Sequence, residues 1–384
     1  MKIIPYSRQY IDSQDIKLVS KALKDNLITT GKYVKKFENE ISKFLNVKYA
    51  TTTNSGTSAL HLALMAININ ENDVIIMPAI NFIASYSMSK FTKANIFIAD
   101  VDPLTGQMTP DTLLRCIKNN KIKKIKVIIT MYLGGYPENV TEFYKIKKKF
   151  DCYLIEDACH AFGAKYLYKK KYIKIGSCKH SDIAAFSFHP VKTITTGEGG
   201  LVTTNNSDLN ANLKKLKSHG IVRSSNKHWK YDISELSFNY RLSDINSALG
   251  LSQLKKINKF INYRKLIYDY YKKKLEKISN HILFPKYNIN NKPSYHLFFI
   301  LINFTNIKST KDKLFKFLKI NNILAQYHYI PIYKFKVFDK KKINFPNSEA
   351  YFNQSISLPI FFNFTRKDQN YVLSKISTFF HKKK

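Results

Sequence analysis

Short apolar runs recur along the first half of the chain at intervals that leave room for a helix between them. VIIM at 74–77, NIFIAD at 95–100, KVIIT at 126–130, CYLIED at 152–157, DIAAFSF at 182–188 and GLVTT at 200–204 each have the length and β-branched content of a buried strand. Between several of them the apolar positions change to a helical period, as at 57–67, 140–150 and 207–218. This alternation predicts an α/β fold. From Leu242 to about Lys277 there is no proline and only Gly250, so the stretch reads as one long helix or two joined ones leading out of the first domain. A boundary near 255 would divide the chain into residues 1–255 and 256–384. Beyond it, YHLFFILIN (295–303), ILAQYHY (323–329) and SISLPIF (355–361) read as strands, with helices near 310–321 and 366–380, which makes a smaller α/β domain.

Composition narrows the class. At 384 residues, 44% hydrophobic and 14% aromatic, the chain can bury a large core, which excludes disordered and collagen-like proteins. Its formal charge of +36 invites a nucleic-acid reading, yet only six of the 63 basic residues are arginine, the residue that base-edge and bidentate phosphate recognition favours. The excess of Lys, Asn and Ile over Arg, Gly and Ala matches A- and T-rich coding, and net charge speaks to solubility and steering rather than fold. Cysteines 116, 152, 159 and 178 form no CxxC pair and have no histidine at zinc-finger spacing, so neither a metal site nor a disulfide framework is expected. The opening MKIIPYSRQY has no apolar leader core, and no uncharged apolar run reaches the ~18 residues needed to span a bilayer. The expectation is a soluble, cytoplasmic protein with no membrane contact.

Glycine and lysine are placed selectively. All 12 glycines lie at or before residue 250, so any turn that cradles a phosphate belongs to the first domain. Residues 49–89 contain no Lys or Arg, and residues 180–213 contain Lys192 as their only lysine. In a lysine-rich chain this marks both stretches as interior and Lys192 as an exception with a reason.

Three motifs fall in these quiet stretches. TTTNSGTSALHLAL (51–64) reads as strand, turn and helix, with Asn54, Ser55 and Gly56 in the turn and Thr57 opening the helix; free N–H groups and the helix dipole there suit an anion, although an ordinary capped core helix has the same pattern. LIEDACHAFG (154–163) puts Glu156 and Asp157 at the C-terminal end of a strand, the edge where open α/β sheets bind ligands, or else caps the next helix with a carboxylate. SFHPVKTITTGEGG (187–200) sets Lys192 after an apolar strand and before a Gly-rich return. Desolvation makes such an amine neutral and available for a Schiff base; a structural ion pair with Glu198 or Asp157 is the alternative.

An amine, an anion cradle and a strand-end carboxylate are together what pyridoxal 5'-phosphate (PLP) requires. NSGTSAL, EDACHA, SFHPVKTITTGEGG and FNYRLSDINSALGLSQLKK, in that order, resemble the DegT/DnrJ-type sugar aminotransferases, over roughly residues 3 to 380. The resemblance implies an aspartate-aminotransferase-like fold with a large mixed-sheet, PLP-binding domain and a smaller C-terminal α/β domain. It implies that Lys192 carries the cofactor and moves the proton, that Asp157 pairs with the pyridine nitrogen, and that Phe82 stacks on the ring. It further implies that His160 sits beside the ring near its hydroxyl, and that Gly56, Thr57 and Ser187 hold the phosphate together with Asn239 from the second subunit of a homodimer. Plain core for Phe82 and a turn for Asn239 are the structural alternatives.

PYSRQYID, ILAQYHYIPIY and SISLP are similar to the branch of this family that serves pseudaminic acid synthesis. That likeness implies a UDP-linked 4-keto-6-deoxy-2-acetamido sugar as substrate and glutamate as amino donor. Tyr6, Asn26, Leu27, Ile28, Thr29, Gln326, Tyr327, His328 and Tyr329 then correspond to substrate-contacting stretches; a core tyrosine, a loop and an edge strand are the alternatives. KDNLITT at 24–30 departs from the pattern of that branch, which keeps legionaminic- or perosamine-type sugars open. Lysine at 192 argues against the dehydratase branch, which carries histidine there. The rival from another class is a catalytically dead, basic nucleic-acid-binding protein on the same fold, and the intact Lys192, Asp157 and Ser187 speak against it.

Overall fold

A computed structural model describes residues 3–224, 226–227, 229–338 and 344–381. Seven strands form its central sheet: β1 (Tyr49–Thr53), β2 (Val74–Pro78), β3 (Asn95–Ala99), β4 (Val127–Met131), β5 (Tyr153–Asp157), β6 (Ile183–Ser187) and β7 (Gly200–Thr204). Their order is β1-β7-β6-β5-β4-β2-β3, and β7 alone runs antiparallel to its neighbours. Helices cover both faces, as near-continuous apolar strands require. Alternation along the strands sorts side chains between two cores: Ile155, Ile183 and Val202 pack with Leu60 and Leu62 of helix Gly56–Ala66, while Phe186 packs with Phe37 and Phe162 on the other side. Asp157, two residues after Ile155, therefore shares the face of that helix, and Glu156 faces away.

The long helical stretch is two helices, Asp244–Leu254 and Ile257–Leu275, broken at Lys255–Lys256. The second spans both parts of the molecule. Ile257 and Phe260 join the core of the first sheet, and Ile267, Tyr271 and Leu275 join Phe298, Ile300 and Ile302 in the core of the second. That second core backs a three-stranded antiparallel sheet of Ile282–Leu283, Phe298–Ile302 and Ser355–Leu358, with helices Lys311–Ile320 and Arg366–His381. Pro359 stops the last strand short of the expected 361.

Two expectations change. The stretch 323–329 is not a regular strand, because its backbone switches partner midway: Leu324 N–H bonds Ile4 O at 2.9 Å, then Gln326 N–H bonds Ser357 O at 3.1 Å. The start of the chain, expected with the first domain, packs on the second core instead, with Ile4 in that core and Tyr6 O accepting from Ile360 N–H at 2.9 Å. Among the described residues no helix is long and apolar enough to cross a membrane, and all four cysteines are free thiols.

Candidate active site

The site gathers at the C-terminal ends of β5 and β6. Asp157 closes β5 and is only 2% exposed. Its Oδ2 accepts from Ser85 Oγ at 2.8 Å and its Oδ1 from Cys159 N–H at 3.3 Å. Both donors are neutral, and among the described residues no ion pair within 4.0 Å reaches this carboxylate. A buried anion so placed calls for a cation.

Lys192 lies in the turn after β6, where its N–H bonds His189 O at 2.9 Å. Burial pushes its ammonium below the usual value, opposed by nearby Cys159 and Asp157. Ser187 closes β6. Opposite it, helix Gly56–Ala66 starts with Ser55 as N-cap, whose Oγ takes the Ser58 N–H at 3.0 Å, so the remaining first-turn N–H groups have no carbonyl of their own helix. A Cβ at position 56 would stand 2.7 Å from Ser187 Cβ, so only glycine lets the helix start approach the strand end this closely. Thr57 is exposed at that start.

Histidines form the wall beside the lysine. His160 is 2% exposed; its Nδ1 accepts from Gly134 N–H at 3.3 Å, which leaves Nε2–H to donate to Tyr329 Oη at 2.8 Å. The His296 ring lies 4.3 Å from that of His160, and His328 Nδ1 pairs with Ser357 Oγ at 2.9 Å. Burial, then the charge of Lys192, hold His160 and His296 well below the usual imidazole range and bring His328 down to about 3. Imidazoles held in this direction favour the uncharged form and so do not compete with the lysine for the Asp157 carboxylate. A second glycine is obligatory here: Gly135, at φ +88°, passes so close that a Cβ would meet Ser294 Oγ at 2.0 Å.

Of the substrate candidates, the Tyr6 ring lies 5.3 Å from that of His328, tilted by 55°, and Tyr329 lies 5.6 Å from the half-exposed ring of Phe82. Tyr327 points the other way, its hydroxyl donating to Asp312 at 3.3 Å and its ring packed 4.5 Å from Phe315. Gln326 is exposed. Asn26, Leu27, Ile28 and Thr29 do not join the cluster either: they are exposed, and Ile28 O accepts from Asp244 N–H at 2.9 Å. The helix that Asp244 opens touches the lysine loop through Asn246 Nδ2, 2.5 Å from Thr196 O. Asn239 offers its carbonyl to Asn54 Nδ2 at 3.0 Å, beside the Gly56 turn, with its side chain on the surface.

Residues 9–377 match the model of the DegT/DnrJ/EryC1/StrS aminotransferase family. The chain belongs to that family. It is 37% identical over 386 residues to the UDP-4-amino-4,6-dideoxy-N-acetyl-beta-L-altrosamine transaminase of Campylobacter jejuni subsp. jejuni serotype O:23/36 (strain 81-176), a match over 100% of this chain and 99% of the relative. Among solved structures it superposes on Helicobacter pylori PseC, an aminotransferase involved in the biosynthesis of pseudoaminic acid, with a TM-score of 0.88, 28% identity and 99% of each chain covered. A Streptococcus pneumoniae protein named as a sugar aminotransferase, solved in its PLP form, gives 0.88 at 25% identity over 99% of each chain. This DegT/DnrJ/EryC1/StrS member is a PLP-dependent nucleotide-sugar aminotransferase.

The residues of this DegT/DnrJ/EryC1/StrS chain fit that cofactor on their own chemistry. A buried carboxylate paired only with neutral donors, a desolvated lysine and a cradle that a single Cβ would fill are complementary to a pyridine nitrogen, an aldehyde and a phosphate. Sequence reasoning missed Ser85, His296 and Arg264. His296 had a legible signal as a lone imidazole in the apolar run YHLFF, and Arg264 as a rare arginine in a chain that otherwise uses lysine. Ser85, a small residue in a helix, had none.

Proposed function

We propose that the protein moves an amino group from glutamate to carbon 4 of a UDP-linked 4-keto-6-deoxy-2-acetamido sugar, in pseudaminic acid biosynthesis. The observation that carries this reading is Tyr6, His328 and Tyr329 assembled around His160 beside Lys192, the polar wall that a sugar would face. The end-to-end likeness to an altrosamine transaminase supports it. Bound PLP supplies the carbonyl that receives the amino group and the ring that stores its electrons. Lys192 Nζ would hold the cofactor and move the proton that transamination requires. Asp157 keeps the pyridine nitrogen protonated, Ser85 orients that carboxylate, and Phe82 covers the ring. His160 fixes Tyr329 beside the cofactor, while Gly56, Thr57 and Ser187 hold the phosphate.

In the same reading the enzyme is a homodimer, and Asn239 of the partner subunit completes the phosphate site, with residues 26–29 serving the neighbouring sugar. Trp229, Tyr231 and Phe238, and Leu236 at 92% exposure, are exposed large apolar residues close to Asn239 in the sequence, which favours burial against a second copy. The same reading has the reaction run in the cytoplasm. The test is to incubate the enzyme and glutamate with UDP-, GDP- and dTDP-linked 4-keto-6-deoxy sugars and locate the new amine by NMR. Amination at carbon 4 of the UDP-2-acetamido sugar is expected; faster turnover of a GDP- or dTDP-linked sugar, or an amine at carbon 3, would replace the assignment.

A further inference from the structure

We propose that Arg264 is a positioning residue that holds the lysine turn, the Tyr6 arm and His296 in one register. This rests on the reading of Lys192 as the PLP lysine. Arg264, on helix Ile257–Leu275, is 2% exposed and pairs with no carboxylate among the described residues. One of its terminal nitrogens donates to His296 O at 3.1 Å and to Ile360 O at 2.9 Å, and the other reaches Ser7 Oγ at 3.5 Å. Each contact leads to the site. Ser7 Oγ donates to Val191 O at 3.1 Å, the carbonyl just before Lys192. Ile360 N–H bonds Tyr6 O at 2.9 Å, and the His296 ring packs 4.3 Å from His160.

Three segments far apart in sequence thus meet on one planar group. Lysine, a single point of charge, does not reproduce a fork that serves two carbonyls and a hydroxyl in fixed directions. A buried cation without an anion is destabilising, and an apolar residue would pack there at lower cost. Alignment of the site gives the charge a reason to be kept: it orients the loop that carries the reacting amine without touching substrate.

The test uses the full-length chain with Ser7→Ala and Arg264→Lys, the first a small deletion that preserves the core. Without cofactor, hydrogen exchange is followed at the Lys192 and Thr196 amides, which bond His189 O and Phe188 O in the lysine loop. Both variants are expected to exchange about fivefold faster there, as loss of one buried hydrogen bond implies. With PLP bound, kcat for the glutamate half-reaction is expected to fall roughly tenfold at unchanged KM, because the amine is misplaced rather than lost. Wild-type exchange at both amides and a wild-type half-reaction, even with a lowered melting temperature, would overturn the proposal and leave Arg264 a packing residue. A wild-type protein that gives no visible band with PLP would instead overturn the Lys192 reading, and the proposal with it.

Discussion

Among the described residues Asp157 is buried against neutral donors, the Ser85 hydroxyl and the Cys159 N–H, and in the proposed reading its charge serves a ring nitrogen. Asp157→Asn keeps the size and the Ser85 contact but removes that charge. PLP should still bind, while single-turnover reaction with glutamate slows on the order of 10²-fold; an unchanged rate would remove Asp157 from the mechanism. The three wall imidazoles set a pH dependence. Their folded pKa values lie below that of a free histidine, so the unfolded chain takes up protons first and stability falls as pH drops below about 6.5. Glu156, buried on the opposite face and raised to about 7, acts in the opposite sense, its contribution being lost as pH rises from about 4.5 to 7. With His61 and His180 also lowered and Glu138 also raised, five imidazoles stand against two carboxyls among the described residues, so the urea midpoint should fall between pH 6.5 and 5, and His328→Asn should flatten that fall. At this scale the reactive residues were legible because composition isolates them, as with one lysine in a lysine-free stretch. Arg264 and His296 stand out in the sequence as a rare arginine and a lone imidazole, but their place at the site does not, because it rests on backbone carbonyls and ring packing that only the fold brings together.

Gly56 links strand order to cofactor affinity, since it lets a helix start sit against the end of β6. Gly56→Ala must displace either Ser187 or the helix, so PLP affinity should drop about 10- to 100-fold in a fluorescence titration while the fold persists. Affinity equal to wild type would mean that the phosphate sits elsewhere. The parallel strands were readable as apolar runs because both faces of the sheet are buried. The 323–329 stretch has the same look but changes partner after Leu324, and pairing is a tertiary property that periodicity does not report. Side-chain contacts, which alternation does not report, separate two candidates in this segment: Tyr329→Phe, which loses the His160 contact, should impair turnover, whereas Tyr327→Phe, whose ring faces Phe315, should leave turnover near wild type. Equal losses in the two variants would show that the segment rearranges around substrate. The break between the helices ending at Leu254 and starting at Ile257 supports a proposed domain boundary near 255, although Ile4 packs in the second core.

At the level of the whole molecule the sequence spoke through the order of its motifs, which brings distant turns to one edge of one sheet. It did not reveal which surfaces stay apolar after folding. In the proposed dimer the exposed Tyr231, Leu236 and Phe238 are covered by the second copy and Asn239 serves the partner's site, so Leu236→Asp should shift sedimentation toward monomer and weaken PLP binding together. A monomeric variant with full cofactor affinity would separate assembly from catalysis. The central claim, that Lys192 of this fold carries PLP for transamination, is tested most directly by one absorption experiment. PLP is added to the purified chain, then glutamate alone, with Lys192→Ala in parallel. A visible band that glutamate bleaches toward the pyridoxamine form in the wild type, and that never forms in the variant, is the predicted result. The same band and the same bleaching in Lys192→Ala would contradict it.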